Sequence, residues 1–284
     1  METISELKKM QIKIAGHSGF CFGVKRAINI AETTLEKLRH KKNTYSLGPI
    51  IHNPQVVNEL KDMGLNVIMD IDSIEEGTII ISSHGAPKDS IQKIKKKKIK
   101  LVDATCPFVK YTQDIVKDLK KKGYRIIIVG DKKHPEVKAL ISLAGSETKG
   151  KKIGIVSQTT QNKYSYLREI LEILGNDFSE VRIFNTICSD TSRRQEVTRN
   201  LLKECDVMIV IGGKNSANTR RLYQICKEGK VDSYHIEGEL ELNTDHFIGK
   251  RCIGVVSGAS TPDKMVEKVV ERIEEITNNA YIKA

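Results

Sequence analysis

Three cysteines, Cys21, Cys106 and Cys188, recur 85 and 82 residues apart, and each opens a helix-like segment: CFGVKRAINIAETTLEKL, CPFVKYTQDIVKDLKKKG and CSDTSRRQEVTRNLLKE. A polar cluster that starts the next helix follows each one: LGPIIHNPQV with His52, VGDKKHPEV with His134, and IGGKNSANT with Ser216 and Asn218. His52, His134 and Ser216 lie 31, 28 and 28 residues after their cysteines. A later strand in each third runs into another polar cluster: ISSHGAP with His84, VSQTTQ with Thr159 and Thr160, and VSGASTP with Ser260. Three thiolates from distant loops, with no fourth in phase, are an incomplete tetrahedral set. Zinc with three Cys and a His would suit it. So would a 4Fe–4S cubane, one per chain, whose fourth iron stays open to substrate and joins Lewis-acid to redox chemistry.

The ring around the cysteines is rich in His and neutral donors. His52, His84 and His134 can donate hydrogen bonds and can become cationic against a dianion. Ser216, Asn218, Ser260, Thr159 and Thr160 fall where helices begin, so backbone N–H groups and helix dipoles add to them. Such a pocket suits phosphate or diphosphate. One acid stands out. Glu136, just after Pro135 in the KHPEV turn, is a candidate proton donor. Thr159 could relay its proton or hold a substrate hydroxyl.

These residues need elements to position them. Short apolar runs at 12–16, 78–82, 99–103, 124–130, 152–157, 181–185, 207–213 and 252–258 predict strands. Amphipathic patterns at 23–40, 54–63, 107–122, 135–144, 162–175, 190–204, 217–228 and 262–277 predict helices. The alternation predicts an α/β fold with mostly parallel sheets. With the recurring markers it predicts three pseudo-threefold-related lobes, a trefoil around a central site at the carboxyl ends of the strands. The expected limits are 1–97, 98–178 and 179–265, followed by a closing helix and tail over 266–284.

The 284 residues carry 47 Lys and Arg against 36 Asp and Glu, a net charge of +11. That permits a phosphorylated substrate, an acidic protein, an anionic membrane or nucleic acid. The Lys93–Lys98 run, KIKKKK, reads as a solvated helix end. With no Trp and 5% aromatics, a base-stacking surface is poorly supplied. No apolar run reaches membrane-spanning length and METISELKKM lacks a signal-peptide pattern, so a soluble cytoplasmic protein is expected. Cys205, Cys226 and Cys252 lie beside apolar patterns and read as buried core. There is no GxGxxG turn, Walker A loop or GxSxG elbow.

The segments GFCFGVKRA, IHNPQVV, SSHGAP, DATCPFV, HPEV, VSQTT, NTIC, KNSANT and SGASTPD, in this order over about 12–265, resemble the 4-hydroxy-3-methylbut-2-enyl diphosphate reductase (IspH/LytB) family. The resemblance implies the last step of the methylerythritol phosphate route to isoprenoids. In it an allylic diphosphate loses its hydroxyl by two-electron reduction, giving isopentenyl and dimethylallyl diphosphate. It implies that Cys21, Cys106 and Cys188 hold a 4Fe–4S cluster. It implies that His52, His84, His134, Ser216, Asn218 and Ser260 bind the diphosphate, that Glu136 delivers protons and that Thr159 contacts the substrate hydroxyl. Reduced ferredoxin or flavodoxin is the implied electron donor, with no nucleic acid and no membrane as partners. The family often has a second serine before the Asn. Here that residue is Ala217, which is not carried over as a side-chain ligand. The rival readings are a quinolinate-synthase-like dehydratase with an open-iron cluster and a basic nucleic-acid-binding protein.

Overall fold

Runs such as Thr78–Ile81 and Val207–Ile211 are continuously buried, which is what parallel strands covered on both faces require. In the computed structural model, which describes residues 10–38, 43–145 and 150–282, they alternate with helices as expected. The first stretch holds β1 (Gln11–Ile14), α1 (Phe22–Lys37), β2 (Thr44–Leu47), α2 (Pro54–Asp62), β3 (Asn66–Ile68), β4 (Thr78–Ile81), α3 (Lys88–Lys96) and β5 (Lys100–Asp103). Next come α4 (Pro107–Lys121), β6 (Arg125–Val129), α5 (Pro135–Ala144), β7 (Lys152–Ser157), α6 (Lys163–Leu174) and β8 (Glu180–Ile183). The chain closes with α7 (Ser189–Leu201), β9 (Val207–Ile211), α8 (Ala217–Glu228), β10 (Asp232–Ile236), β11 (Cys252–Ser257) and α9 (Asp263–Ile282). No described helix is long and apolar enough to cross a membrane.

The strands form three sheets, in the orders β3-β2-β4-β5, β6-β7-β8 and β1-β11-β9-β10, and every pairing is parallel. Read from β10, the last sheet matches the first strand for strand. The middle sheet matches it without a counterpart of β3. The threefold repeat of the sequence is therefore present as topology. Sheet membership differs from the expected lobe limits by one strand at each boundary. β5, expected to open the segment 98–178, pairs with β4. β8, expected to open 179–265, pairs with β7. β1, expected in 1–97, pairs with β11. The cause is that a parallel strand needs a crossover, and α3 and α6 return the chain to the sheet it has just left. The last helix, expected over 262–277, runs further than that, from Asp263 to Ile282.

The described residues up to Phe20, together with those from Arg193 onward, form one compact unit, and Cys21–Ser192 forms the other. Strand alternation divides each core. In the first unit, Val207, Ile209 and Ile211 pack with Met265, Val269 and Ile273 of α9, while Met208 and Val210 pack with Leu222 and Cys226 of α8. In the second, Ile153 and Ile155 face Tyr166 and Ile170 of α6, and Val156 joins Val116, Leu119 and Leu140.

Candidate active site

In the Cys21–Ser192 unit all three repeat cysteines sit at helix starts. Cys21 caps α1, its sulfur accepting the Val24 N–H at 3.4 Å. Cys106 caps α4 and is tied to the end of β4, its own N–H donating to the Ser83 carbonyl at 3.0 Å. Cys188 directly precedes α7, and its N–H donates to the Thr159 carbonyl at 2.9 Å. Burial raises the pKa of the Cys106 and Cys188 thiols. Helix-start amides oppose it, from Phe108 and Val109 for Cys106 and from Thr191 and Asp190 for Cys188. Cys106 is pushed further by Cys21 and Glu136, and Cys188 by Asp190 and Cys106, so the three sulfurs share one electrostatic neighbourhood.

Gly23 makes this convergence possible. A Cβ there would stand 2.5 Å from Cys106 Sγ and 4.0 Å from Cys21 Sγ. Any side chain at residue 23 would therefore drive the Cys106 sulfur away from the first turn of α1. Three soft ligands at three helix starts, two of their sulfurs brought together at a glycine, fit an iron–sulfur group. Cys205, Cys226 and Cys252 are buried core residues, as expected, and burial pushes the Cys226 thiol up to about 12.

The three histidines gather from two sheets. His52 stacks on His84 with ring centroids 4.4 Å apart, and His134 meets His52 at 5.3 Å and His84 edge-on at 5.1 Å. One ring nitrogen from each lies within 4.8 Å of the others, close enough to grip one ion. His134 caps α5, its Nδ1 accepting the Glu136 N–H at 3.2 Å, and this assigns the neutral ring's proton to Nε2. Asn53, next to His52, caps α2 by accepting the N–H groups of Gln55 and Val56. His84 Nδ1 is buried with no hydrogen-bond partner in the protein. Its pKa lies well below the ordinary histidine value, first because of burial and then because His52 and His134 would repel a second charge.

Glu136, in the first turn of α5, is 1% exposed. Its Oε1 accepts the Thr159 N–H at 2.7 Å and its Oε2 the Thr159 hydroxyl at 2.8 Å. Burial raises its pKa to about 7 against the opposing pull of those two bonds. Thr159 therefore links the acid, through its side chain, to Cys188, through its carbonyl.

The other unit carries the remaining donors. Ser216 caps α8, accepting the Thr219 N–H at 3.3 Å, and Asn218 is buried with neither side-chain polar atom hydrogen-bonded in the protein. Ser260, also buried, lies in the turn after β11. This turn is tied to the end of β9, since Gly258 N–H and Thr261 Oγ1 both donate to the Ile211 carbonyl, at 2.9 and 3.0 Å. A Cβ at Gly258 would meet Thr219 Oγ1 at 2.0 Å, so glycine lets the start of α8 approach.

The sequence reading did not single out Gly23 or Arg194. Gly23 had a signal, a poor helix former in a first turn two residues after a cysteine. Arg194 had none. Its buried guanidinium donates to the carbonyls of His17 at 3.2 Å, Ser257 at 3.1 Å and Gly19 at 2.8 Å, all distant in sequence.

Residues 12–274 match the family model described as LytB protein. The chain is similar to 4-hydroxy-3-methylbut-2-enyl diphosphate reductase of Aquifex aeolicus, with 43% identity over 96% of this chain and 99% of that one. To the protein of the same name from Geobacter metallireducens it is 46% identical, over 94% and 98%. Among solved structures it is similar to a reductase described as the terminal enzyme of the non-mevalonate pathway, with 44% identity, 94% and 99% coverage and a TM-score of 0.66. A second similar structure is the Plasmodium falciparum reductase, with 27% identity, 93% and 87% coverage and a TM-score of 0.85.

Proposed function

Starting from the fact that this chain belongs to the LytB family and is a reductase acting in the terminal step of the non-mevalonate pathway, we propose how its residues share that work. The substrate is 4-hydroxy-3-methylbut-2-enyl diphosphate and the products are isopentenyl and dimethylallyl diphosphate. Cys21, Cys106 and Cys188 hold a 4Fe–4S cluster. The observation that carries this is the close approach at Gly23, where the absence of a Cβ lets the Cys106 sulfur stand against the turn that also carries the Cys21 sulfur. When bound, such a cluster supplies an open iron for the substrate oxygen and a path for electrons.

The chain's own groups do the rest. His52, His84 and His134, with Ser216, Asn218 and Ser260, bind the diphosphate. A dianion supplies the counter-charge that would let His84 hold a proton against its burial and the repulsion of His52 and His134. Thr159 holds the substrate hydroxyl and Glu136 delivers protons. The allylic C–O bond breaks and the oxygen leaves as water. The carbon chain takes up one proton and two electrons enter from an external donor, a reduced ferredoxin or flavodoxin. With Oε1 accepting the Thr159 N–H, protonation of Glu136 falls on Oε2, and the bond to the Thr159 hydroxyl then reverses, Oε2 donating and Oγ1 accepting. From there it passes to the Thr159 hydroxyl and onward to the substrate.

The test is anaerobic turnover of the hydroxylated allylic diphosphate with a strong reductant, beside iron analysis. Cys21→Ser, Cys106→Ser and Cys188→Ser should each lose iron and activity. Cys226→Ala should keep both and lose only core stability, about 1–3 kcal/mol. Full iron content in Cys188→Ser would refute the three-ligand assignment.

A further inference from the structure

We propose that the surface made by the first turns of α1 and α4 is where an acidic one-electron carrier protein docks. The proposal rests on the reading of Cys21 and Cys106 as cluster ligands. The reaction draws two electrons from outside, and the sequence has no dinucleotide-binding turn, so delivery by a protein partner is the route with support. The entry face should lie where the ligand cysteines come closest to solvent.

All three ligand cysteines are partly exposed, but only Cys21 and Cys106 have an exposed aromatic residue close behind them, Phe22 directly and Phe108 after Pro107. Phe22 is 64% exposed, Phe108 41% and Tyr111, one turn further along α4, 60%. The chain has only six Phe, and two of them stand open beside two ligand cysteines. Leaving a Phe in water forgoes the free energy of burying it, so folding does not account for the placement. The two turns form one surface, because Gly23 packs against Cys106 and Arg26 Nη1 donates to the Thr105 carbonyl at 3.1 Å.

The charge of this surface is one-sided. Neither α1 nor α4 has an acidic residue in its first turn, where helices usually favour one, so no first-turn carboxylate offsets the cationic side chains there. Lys25 is exposed and no described carboxylate pairs with it, while Lys110 neutralises Asp103 at 2.7 Å. An aromatic centre with a cationic rim, on a chain of net charge +11, is complementary to an acidic partner. A small interface of this kind also suits transient electron transfer.

The experiment compares two donors under anaerobic conditions, an acidic reduced ferredoxin and dithionite with methyl viologen, for the wild type, Lys25→Glu and Phe22→Ala/Phe108→Ala. The ferredoxin-driven rate at limiting donor should fall by about tenfold or more in both variants, and the salt dependence of that rate should flatten in Lys25→Glu. Iron content and the viologen-driven rate should stay within about twofold of the wild type. Carbodiimide coupling of ferredoxin to the wild-type enzyme should join Lys25 to a ferredoxin carboxylate, a readout that needs no variant. An unchanged ferredoxin-driven rate, or coupling confined to other lysines, overturns the proposal. Absence of viologen-driven turnover in the wild type would instead overturn the functional reading beneath it.

Discussion

Glu136 carries its acidity in its surroundings. Buried to 1% exposure and bonded through both oxygens to Thr159, it has a pKa raised by burial to about 7, so it is largely protonated below neutrality. Turnover should fall as pH rises through about 7, and Glu136→Gln should remove that limb. The same variant should lower turnover by about 10²–10⁴-fold while substrate affinity moves less than about tenfold. The raised pKa has a stability signature too. Its contribution is fully present below the ordinary Glu value of 4.5 and is lost as pH rises through about 7, since only the unfolded state then ionises freely. The loss is about 3 kcal/mol, and urea unfolding at pH 5 and pH 8 should show a smaller difference in Glu136→Gln than in the parent. At the proposed diphosphate subsite, His52→Asn should remove a charge-assisted hydrogen bond of about 1.5–3 kcal/mol and act mainly on the Michaelis constant.

Among the elements, those that carry the chemistry were the most legible. Pro107, Pro135 and Ser216 mark helix starts in the sequence as they do in the fold, and so fix where Cys106, His134 and Asn218 stand. Strands β2, β3 and β10 were not read. They are four, three and five residues long, and polar residues such as Thr44, Asn66 and His235 break their apolar pattern. Helix α3 was seen only as the solvated end at Lys93–Lys98, because Ile94 is its one buried residue. Sheet membership falls one strand away from the expected lobe limits because periodicity identifies strands but says nothing of which neighbour each will pair with. Arg194 lies beyond local pattern for the same reason, its acceptors being contributed by residues 17, 19 and 257. Arg194→Met should leave those buried carbonyls without that donor, at about 1–3 kcal/mol for each one left unsatisfied. A lowered denaturant midpoint, partly restored in Arg194→Lys, is the expected result.

On the scale of the whole chain, the sheet β1-β11-β9-β10 joins the two ends of the sequence, Gln11 beside Cys252 and Ile14 beside Val255. The sheets of Cys21–Ser192 close among strands that are near in sequence, whereas β1 has no partner until β11 exists. Removing residues 10–16 should uncover an edge of β11 and lower the thermal midpoint of the full-length remainder, with aggregation on heating. The same pairing sets a timetable. At roughly 5–20 residues per second of synthesis, about 10–50 s pass between the making of residue 11 and of residue 252. For that interval the first strand to be made waits unpaired, while the segment that follows it can already fold. The last strand is the one that releases it, so a nascent chain halted short of residue 252 should keep β1 open to protease, and one extended past residue 257 should protect it.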